Sequence, residues 1–349
     1  MSKPSDEHQI KCAVWDLDNT LWQGTLLEDQ TVIINPQVVK VIETLDQRGI
    51  LQSIASKNNH DDAIAKLKSF GLDEYFLYPQ INWEPKSNSM AEIAKRLNIN
   101  LDTFAFIDDQ QFELDEVKFS QPKILTVNAQ EIPKILDMPL FIPRFITDDS
   151  KIRRKMYQCD IRRNNIEETF AGSKDDFLRT LDMKLTIAKA TEDDLQRAEE
   201  LTLRTHQLNT TGYTYSYDEL NFFRTSDSHT LLIAGLEDKY GPYGKIGLIL
   251  LEENELEWRI KLLLMSCRVM SRGIGAILIN YLREAAKKHK VKLTAEFIPT
   301  DRNRMMFMAY KFANFIEREE QKRFILFEND LKSIPAMPSY VRFIDNANI

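Results

Sequence analysis

Two α/β units in tandem are predicted for this chain by three observations. Over residues 1–140 short apolar strands alternate with amphipathic helices, the pattern of a parallel sheet covered on both faces. A basic stretch at 141–182 interrupts that pattern, and over 183–335 longer strands surround one strongly periodic helix. The 349 residues suffice for two hydrophobic cores, and 11 Gly, 12 Pro and 3 Cys describe neither a low-complexity nor a disulfide-stapled chain.

In the first unit Cys12–Trp15 is an apolar run that ends in acid. Pro36–Arg48 is a helix: Asn35 caps it, Pro36 takes its first position, Val38, Val41, Ile42 and Leu45 form its stripe, and Gly49 stops it. Ile50–Ala55 follows as a strand, Asp61–Phe70 and Ser87–Leu97 as helices, and Thr103–Ile107 and Ile124–Val127 as strands. In the basic stretch Ile152, Met156, Cys159 and Ile166 fall at helical spacing among Lys151, Arg153, Arg154, Lys155, Arg162 and Arg163. Beyond it, strands are expected at Lys184–Ala188, Thr230–Gly235, Lys245–Glu252, Glu257–Val269, Lys292–Ile298 and Phe324–Phe327. Helices are expected at Asp194–Thr205, Ser271–Lys288 and Arg302–Phe312, the second with Ile274, Ile277, Leu278, Tyr281, Leu282 and Ala285 on one face. Residues 336–349 are expected to be a tail.

Charge and composition remove several function classes. A net charge of −7 is unsuited to binding nucleic acid by bulk electrostatics. No uncharged apolar run approaches the ~18 residues of a membrane span, and the stretch Met1–Ile10 has no apolar signal core. Cys12, Cys159 and Cys267 form no CxxC pair, which fits a reducing, cytoplasmic setting.

The chemistry of the first unit lies where its strands end. Strand one runs into Asp16-Leu17-Asp18-Asn19-Thr20, strand two into Ser56, and a later strand into Asp108-Asp109, while Lys86 opens a helix. The carboxyl ends of parallel strands form one ligand crevice, so these residues are expected to meet. Asp16, Asp18, Asp108 and Asp109 are hard oxygen donors suited to Mg²⁺, and Lys86, Ser56 and Thr20 are suited to phosphoryl oxygens. Asp16 is the expected nucleophile and Asp18 the proton carrier. Each piece alone is equally readable as a solvated turn or a helix cap. Together, in this order, Asp16-x-Asp18-x-Thr20, Ser56, Lys86 and Asp108-Asp109 resemble the four motifs of the haloacid dehalogenase (HAD) superfamily. That resemblance implies a Rossmann-like fold, Mg²⁺ dependence and an aspartyl-phosphate at Asp16.

In the second unit a strand runs into Arg272-Gly273-Ile274-Gly275 and a clean helix. Such glycines let backbone N–H groups approach a phosphate at the helix start. This is similar to the acyl-coenzyme A loop of the GNAT acetyltransferase fold, although Met270 stands where Gln or Arg is common. Cys267 precedes the helix, with Arg272 as its candidate partner; by chemistry alone a buried structural thiol is the commoner reading. His206 is a candidate base or a surface histidine, and Asn209, Thr210 and Thr211 are candidate ligands for substrate or pantetheine or else a polar loop.

The combination resembles the FkbH-like glyceryl transferases. The residues that carry this are Trp15 to Trp22 with Gly24, Trp83-Glu84-Pro85-Lys86-Ser87, Thr205 to Gly212, and Met265-Ser266-Cys267-Arg268. The departures are Gln110-Gln111 in place of Asn-Pro, and Gln30 in place of Gly. The resemblance implies an acyl phosphate substrate such as 1,3-bisphosphoglycerate, a thioester on Cys267, and the phosphopantetheine arm of an acyl carrier protein as acceptor, in polyketide-type synthesis. The basic run 151–163 would suit an acidic carrier; a solvated helix face is the alternative. Two rival readings are a HAD phosphatase fused to a coenzyme A-dependent N-acetyltransferase, and a carrier-binding scaffold with a vestigial HAD site.

Overall fold

In a computed structural model of the protein, the described residues are 9–29, 31–321 and 324–349, so Gln30 and most of the polar start lie outside them. The chain forms two compact units, one ending at Gln158 and the other spanning Cys159–Ile349.

The first unit contains β1 (Cys12–Trp15), β2 (Trp22–Gln23), β3 (Ile33–Ile34), α1 (Pro36–Gln47), β4 (Leu51–Ser56), α2 (His60–Ser69), β5 (Gln80–Ile81), α3 (Lys86–Leu97), β6 (Phe104–Asp108), α4 (Gln111–Ser120) and β7 (Leu125–Asn128). Its five-stranded sheet has the order β5-β4-β1-β6-β7 and is parallel throughout. β1, β4 and β6 are buried along their whole length, as expected of strands covered on both faces. Asn35 caps α1 through its side chain, with Val38, Val41, Ile42 and Leu45 turned to the core, as the sequence predicts. Trp15 lies beside both Ile54 and Ile107 in the parallel register, which brings Asp16, Ser56 and Asp108 to one edge of the sheet. This is the placement expected of these residues. Helix α4 was not expected; its sequence has no clear apolar stripe, and Leu114 and Val117 carry its inward contact.

A short α5 (Asp148–Lys151) precedes α6 (Arg153–Thr169), within which the division between the units falls. The second unit continues with α7 (Lys174–Thr180), β8 (Met183–Lys189), α8 (Leu195–Arg204), α9 (Tyr217–Thr225), β9 (His229–Asp238), β10 (Gly241–Glu253), β11 (Glu257–Met265), α10 (Ile274–His289), β12 (Lys292–Phe297), α11 (Arg304–Phe312), β13 (Phe315–Gln321), β14 (Phe324–Asn329) and β15 (Val341–Asp345). The sheet order is β13-β14-β12-β11-β10-β9-β8-β15. It is mixed, with β11 and β12 parallel from Glu257 beside Lys292 to Ile260 beside Ala295. Beyond Ile260 these two strands part, and residues 208–211 occupy the wedge. Thr210 N donates to Leu263 O, Met265 N to Leu208 O, and Ile298 N to Thr210 O. A parallel pair that parts between antiparallel neighbours, flanked by α10 and α11, is the GNAT-like α/β arrangement expected.

Two expectations need correction. The strand predicted to reach Val269 ends at Met265, because Ser266 caps a 3-10 turn over Cys267–Arg272. The stretch taken for a tail contains β15, which pairs in parallel with β8 from Val341 beside Met183 to Asp345 beside Ile187. No helix among the described residues is long and apolar enough to cross a membrane.

Candidate functional site

The first unit gathers an acidic cluster around a buried lysine. Asp16 leaves the end of β1, Asp108 closes β6, Asp109 follows it, and Lys86 opens α3. One carboxylate oxygen from each of Asp16, Asp108 and Asp109 lies within 4.8 Å of the others. The Lys86 ammonium donates to Asp16 at 2.7 Å and to Asp108 at 2.6 Å. Lys86, Asp16 and Asp108 are almost completely buried. The Ser56 hydroxyl also bonds Asp16. Thr20 accepts from Asp109 N at 3.0 Å, which ties the first motif to the last.

Burial dominates the electrostatics. It pushes the Asp16 carboxyl up to about 6, against the opposing pull of Lys86. The Asp108 and Asp109 carboxyls are raised by burial as well. Burial works against the charged form of Lys86, but the Asp16 and Asp108 carboxylates outweigh it and raise this ammonium. Three carboxylates against one ammonium leave a formal charge of −2 on hard oxygen donors, so the residues present fit a Mg²⁺ ion.

Asp18 does not join this cluster, contrary to expectation. Its carboxylate accepts from Trp22 Nε1 at 2.8 Å, Leu26 N at 3.0 Å and Asn58 Nδ2 at 2.9 Å, which fix it beside the cluster rather than within it. Asn58 was missed by sequence reasoning. Its signal was its place two residues past Ser56, at the same sheet edge, and it is buried. The Lys57–Glu113 pair at 2.7 Å and the Ser87–Glu116 bond at 2.5 Å were missed too, because both depend on the unexpected helix α4.

In the second unit several expected ligands serve the fold instead. The Asn209 Oδ1 accepts from Thr211 N and Gly212 N, and the Thr210 hydroxyl accepts from Leu263 N. The Thr211 hydroxyl accepts from Tyr213 N. These three side chains build the wedge segment rather than face a ligand. Arg272 is buried, bonds Glu167 at 2.6 Å and lies over the Phe177 ring. Gly273 has a positive φ of 73°, and an added Cβ there would meet the Tyr340 hydroxyl; at Gly275 it would meet Met265 Cε at 2.9 Å. Close packing therefore accounts for both glycines.

Cys267 and His206 are both half-buried. Asn209 and Leu264 form an antiparallel bridge, and Met265 N donates to Leu208 O at 2.9 Å. Cys267 and His206 each lie two residues beyond that bonded pair, Cys267 in the 3-10 turn that follows β11 and His206 in the bend that precedes the bridge.

The basic run divides differently from the expected docking face. Arg153 donates to Gly49 O and Arg154 pairs with Asp46 in the first unit. In the second unit Arg163 is fully buried, pairing with Asp160 and Asp238 and stacking on Tyr243. Lys151, Lys155 and Arg162 are exposed, so half of the run's basic residues are internal structure and half face outward.

No family model matches this chain, and no curated protein does. Solved structures do. One is the N-terminal part of a Bacteroides fragilis protein containing a phosphatase domain, complexed with Mg, at 24% identity and TM-score 0.33, covering 40% of this chain and 41% of that one. The chain thus spans about two fifths of the length of that neighbour. The ribosomal-protein-S18-alanine N-acetyltransferase of Escherichia coli has 15% identity and TM-score 0.34, covering 42% of this chain and 92% of that one. Spermidine N-acetyltransferase of Vibrio cholerae, in complex with CoA and spermine, has 17% identity and TM-score 0.31, covering 41% and 92%. Scores this low leave the chemistry to be judged from the side chains themselves.

Proposed function

We propose that the protein is a Mg²⁺-dependent phosphatase coupled to acyl transfer, with Asp16 as phosphoryl acceptor and Cys267 as acyl carrier. The observation that carries the first half is the Lys86 ammonium bridging Asp16 and Asp108 at the carboxyl edge of a parallel sheet, with Asp109 beside them. Asp16, Asp108 and Asp109 would hold the Mg²⁺, which when bound neutralises charge on the phosphoryl oxygens. An Asp16 carboxylate oxygen forms a bond to phosphorus as the ester P–O bond breaks, and the leaving oxygen takes a proton from Asp18. Water then attacks phosphorus, gives a proton back to Asp18, and releases inorganic phosphate and the Asp16 carboxylate. Lys86 and Ser56 hold the oxygens in place throughout.

The second half follows the FkbH-like resemblance and is supported by the half-buried positions of Cys267 and His206, neither of which is sealed in the core. The Cys267 thiolate attacks the carbonyl carbon of an acyl phosphate such as 1,3-bisphosphoglycerate. The C–O bond to the 1-phosphate breaks, inorganic phosphate leaves, and a 3-phosphoglyceryl thioester forms, which becomes a glyceryl thioester when phosphoryl transfer through Asp16 removes the remaining phosphate. The pantetheine thiol of an acyl carrier protein then takes the acyl group and returns the Cys267 thiol. His206 would accept the thiol proton.

Incubation with 1,3-bisphosphoglycerate generated in situ, followed by intact-protein mass, tests this half. The expected result is a phosphoglyceryl or glyceryl adduct on the wild type and none on Cys267→Ala; an adduct that persists in Cys267→Ala refutes it. A second reading, a phosphatase fused to a coenzyme A-dependent N-acetyltransferase, is favoured by one observation. The first turn of α10, entered through Gly273, has no side-chain cap, and a helix start without one is a setting in which N–H groups bind a pyrophosphate. Calorimetric titration with acetyl-coenzyme A separates the two, since only the second requires binding.

A further inference from the structure

Next to the acidic cluster opens a cleft of about 410 Å³, with Thr20 and Asp109 on the cluster's side. Five carboxamides line it: Asn19, Asn35, Gln37, Asn128 and Gln130. Asp109 is the one charged side chain in the lining among the described residues. The amide oxygens of three of the five are engaged by the backbone. Asn35 Oδ1 accepts from Gln37 N, Asn128 Oδ1 from Gln130 N, and Asn19 Oδ1 from Gly24 N. Their NH₂ groups are therefore what these residues have to offer a ligand. Val38 and Ile132 add apolar surface for a carbon skeleton.

We infer that this cleft seats the leaving group and selects phosphomonoesters whose other end is an uncharged, hydroxyl-bearing group. The inference rests on the phosphatase reading of Asp16 and names its substrate class. Amide N–H groups bond hydroxyl and carbonyl oxygens without needing charge. A carboxylate or a second phosphate in the cleft would meet no lining ammonium or guanidinium to balance it. A glyceryl phosphate whose carbonyl is held as an ester or thioester meets the requirement; free 3-phosphoglycerate does not.

The test compares 3-phosphoglycerate with its methyl ester, which differ in one negative charge, using the full chain and Mg²⁺. The expected kcat/KM for phosphate release is at least about tenfold higher for the ester. Gln130→Lys, at an exposed position whose side chain has no hydrogen-bond partner among the described residues, narrows or reverses that ratio. Calorimetric binding of the two compounds to Asp16→Asn gives the same order without turnover. Equal or better use of the free acid by the wild type overturns the inference. Hydrolysis of para-nitrophenyl phosphate distinguishes the failures. If it proceeds with Mg²⁺ and the acid and ester do not differ, the cleft assignment alone is wrong. If no phosphoester is hydrolysed, the phosphatase reading falls and the inference with it.

Discussion

Lys86 holds two carboxylates that would otherwise face each other in the interior. Its side chain is 4% exposed, against 6% for Asp16 and 0% for Asp108. Lys86→Met therefore leaves two buried charges unpaired, and the expected destabilisation is about 3–5 kcal/mol at neutral pH. Urea denaturation followed by tryptophan fluorescence reads this, since Trp15, Trp22 and Trp83 all lie in the first unit and only Trp258 in the second. The raised Asp16 carboxyl also predicts a pH effect. Its folded pKa of about 6 lies above the ordinary 3.8, so its contribution to stability is fully present at low pH and is lost as pH rises through about 6. In chelator, the stability of the wild type relative to Asp16→Asn is expected to fall between about pH 4 and 6. Mg²⁺ is expected to restore it at neutral pH. A flat difference across that window would mean that Asp16 is not the strained member of the cluster.

At the level of elements, the helices and strands that place the first site were legible because each carried a local signal. The Asn35 cap, the Pro36 start and the four-residue stripe marked α1, and apolar runs ending in acid marked β1 and β6. Helix α4 was not legible, since its inward face is only Glu113, Leu114 and Val117. The basic run misled for a different reason: sequence shows the charge of Arg153, Arg154 and Arg163 but not that Gly49, Asp46 and Asp238 await them. Gly273 illustrates a motif with a second explanation. Its positive φ and the nearby Tyr340 hydroxyl predict that Gly273→Ala costs about 1–2 kcal/mol from backbone strain, with steric displacement adding to it. Thermal denaturation of this variant checks the effect without reference to any ligand. An unchanged midpoint would return the glycine to a purely ligand-binding role.

Over the whole molecule, the order of two α/β units could be read from the sequence because hydrophobic periodicity changes along the chain. The second unit's sheet edge could not. β15 has only five residues and lies after a stretch without strand signals, and its partner β8 is over 150 positions earlier. Its place in the sheet predicts that removing residues 336–349 destabilises the second unit. The loss includes Val341 and Ala347 from the core and the Tyr281–Asp345 hydrogen bond. The expected cost is about 3 kcal/mol, or a fall of roughly 5–10 °C in the melting midpoint of a unit this size. A truncated protein that melts with the intact one would restore the tail reading.

The account as a whole stands on phosphoryl transfer through Asp16. Rapid acid quenching of the protein with Mg²⁺ and a ³²P-labelled phosphomonoester tests this most directly. The predicted result is a hydroxylamine-labile label on a peptide containing Asp16, absent from Asp16→Asn. Turnover of the same ester with no labelled protein at any quench time, or a label that persists in Asp16→Asn, would contradict it.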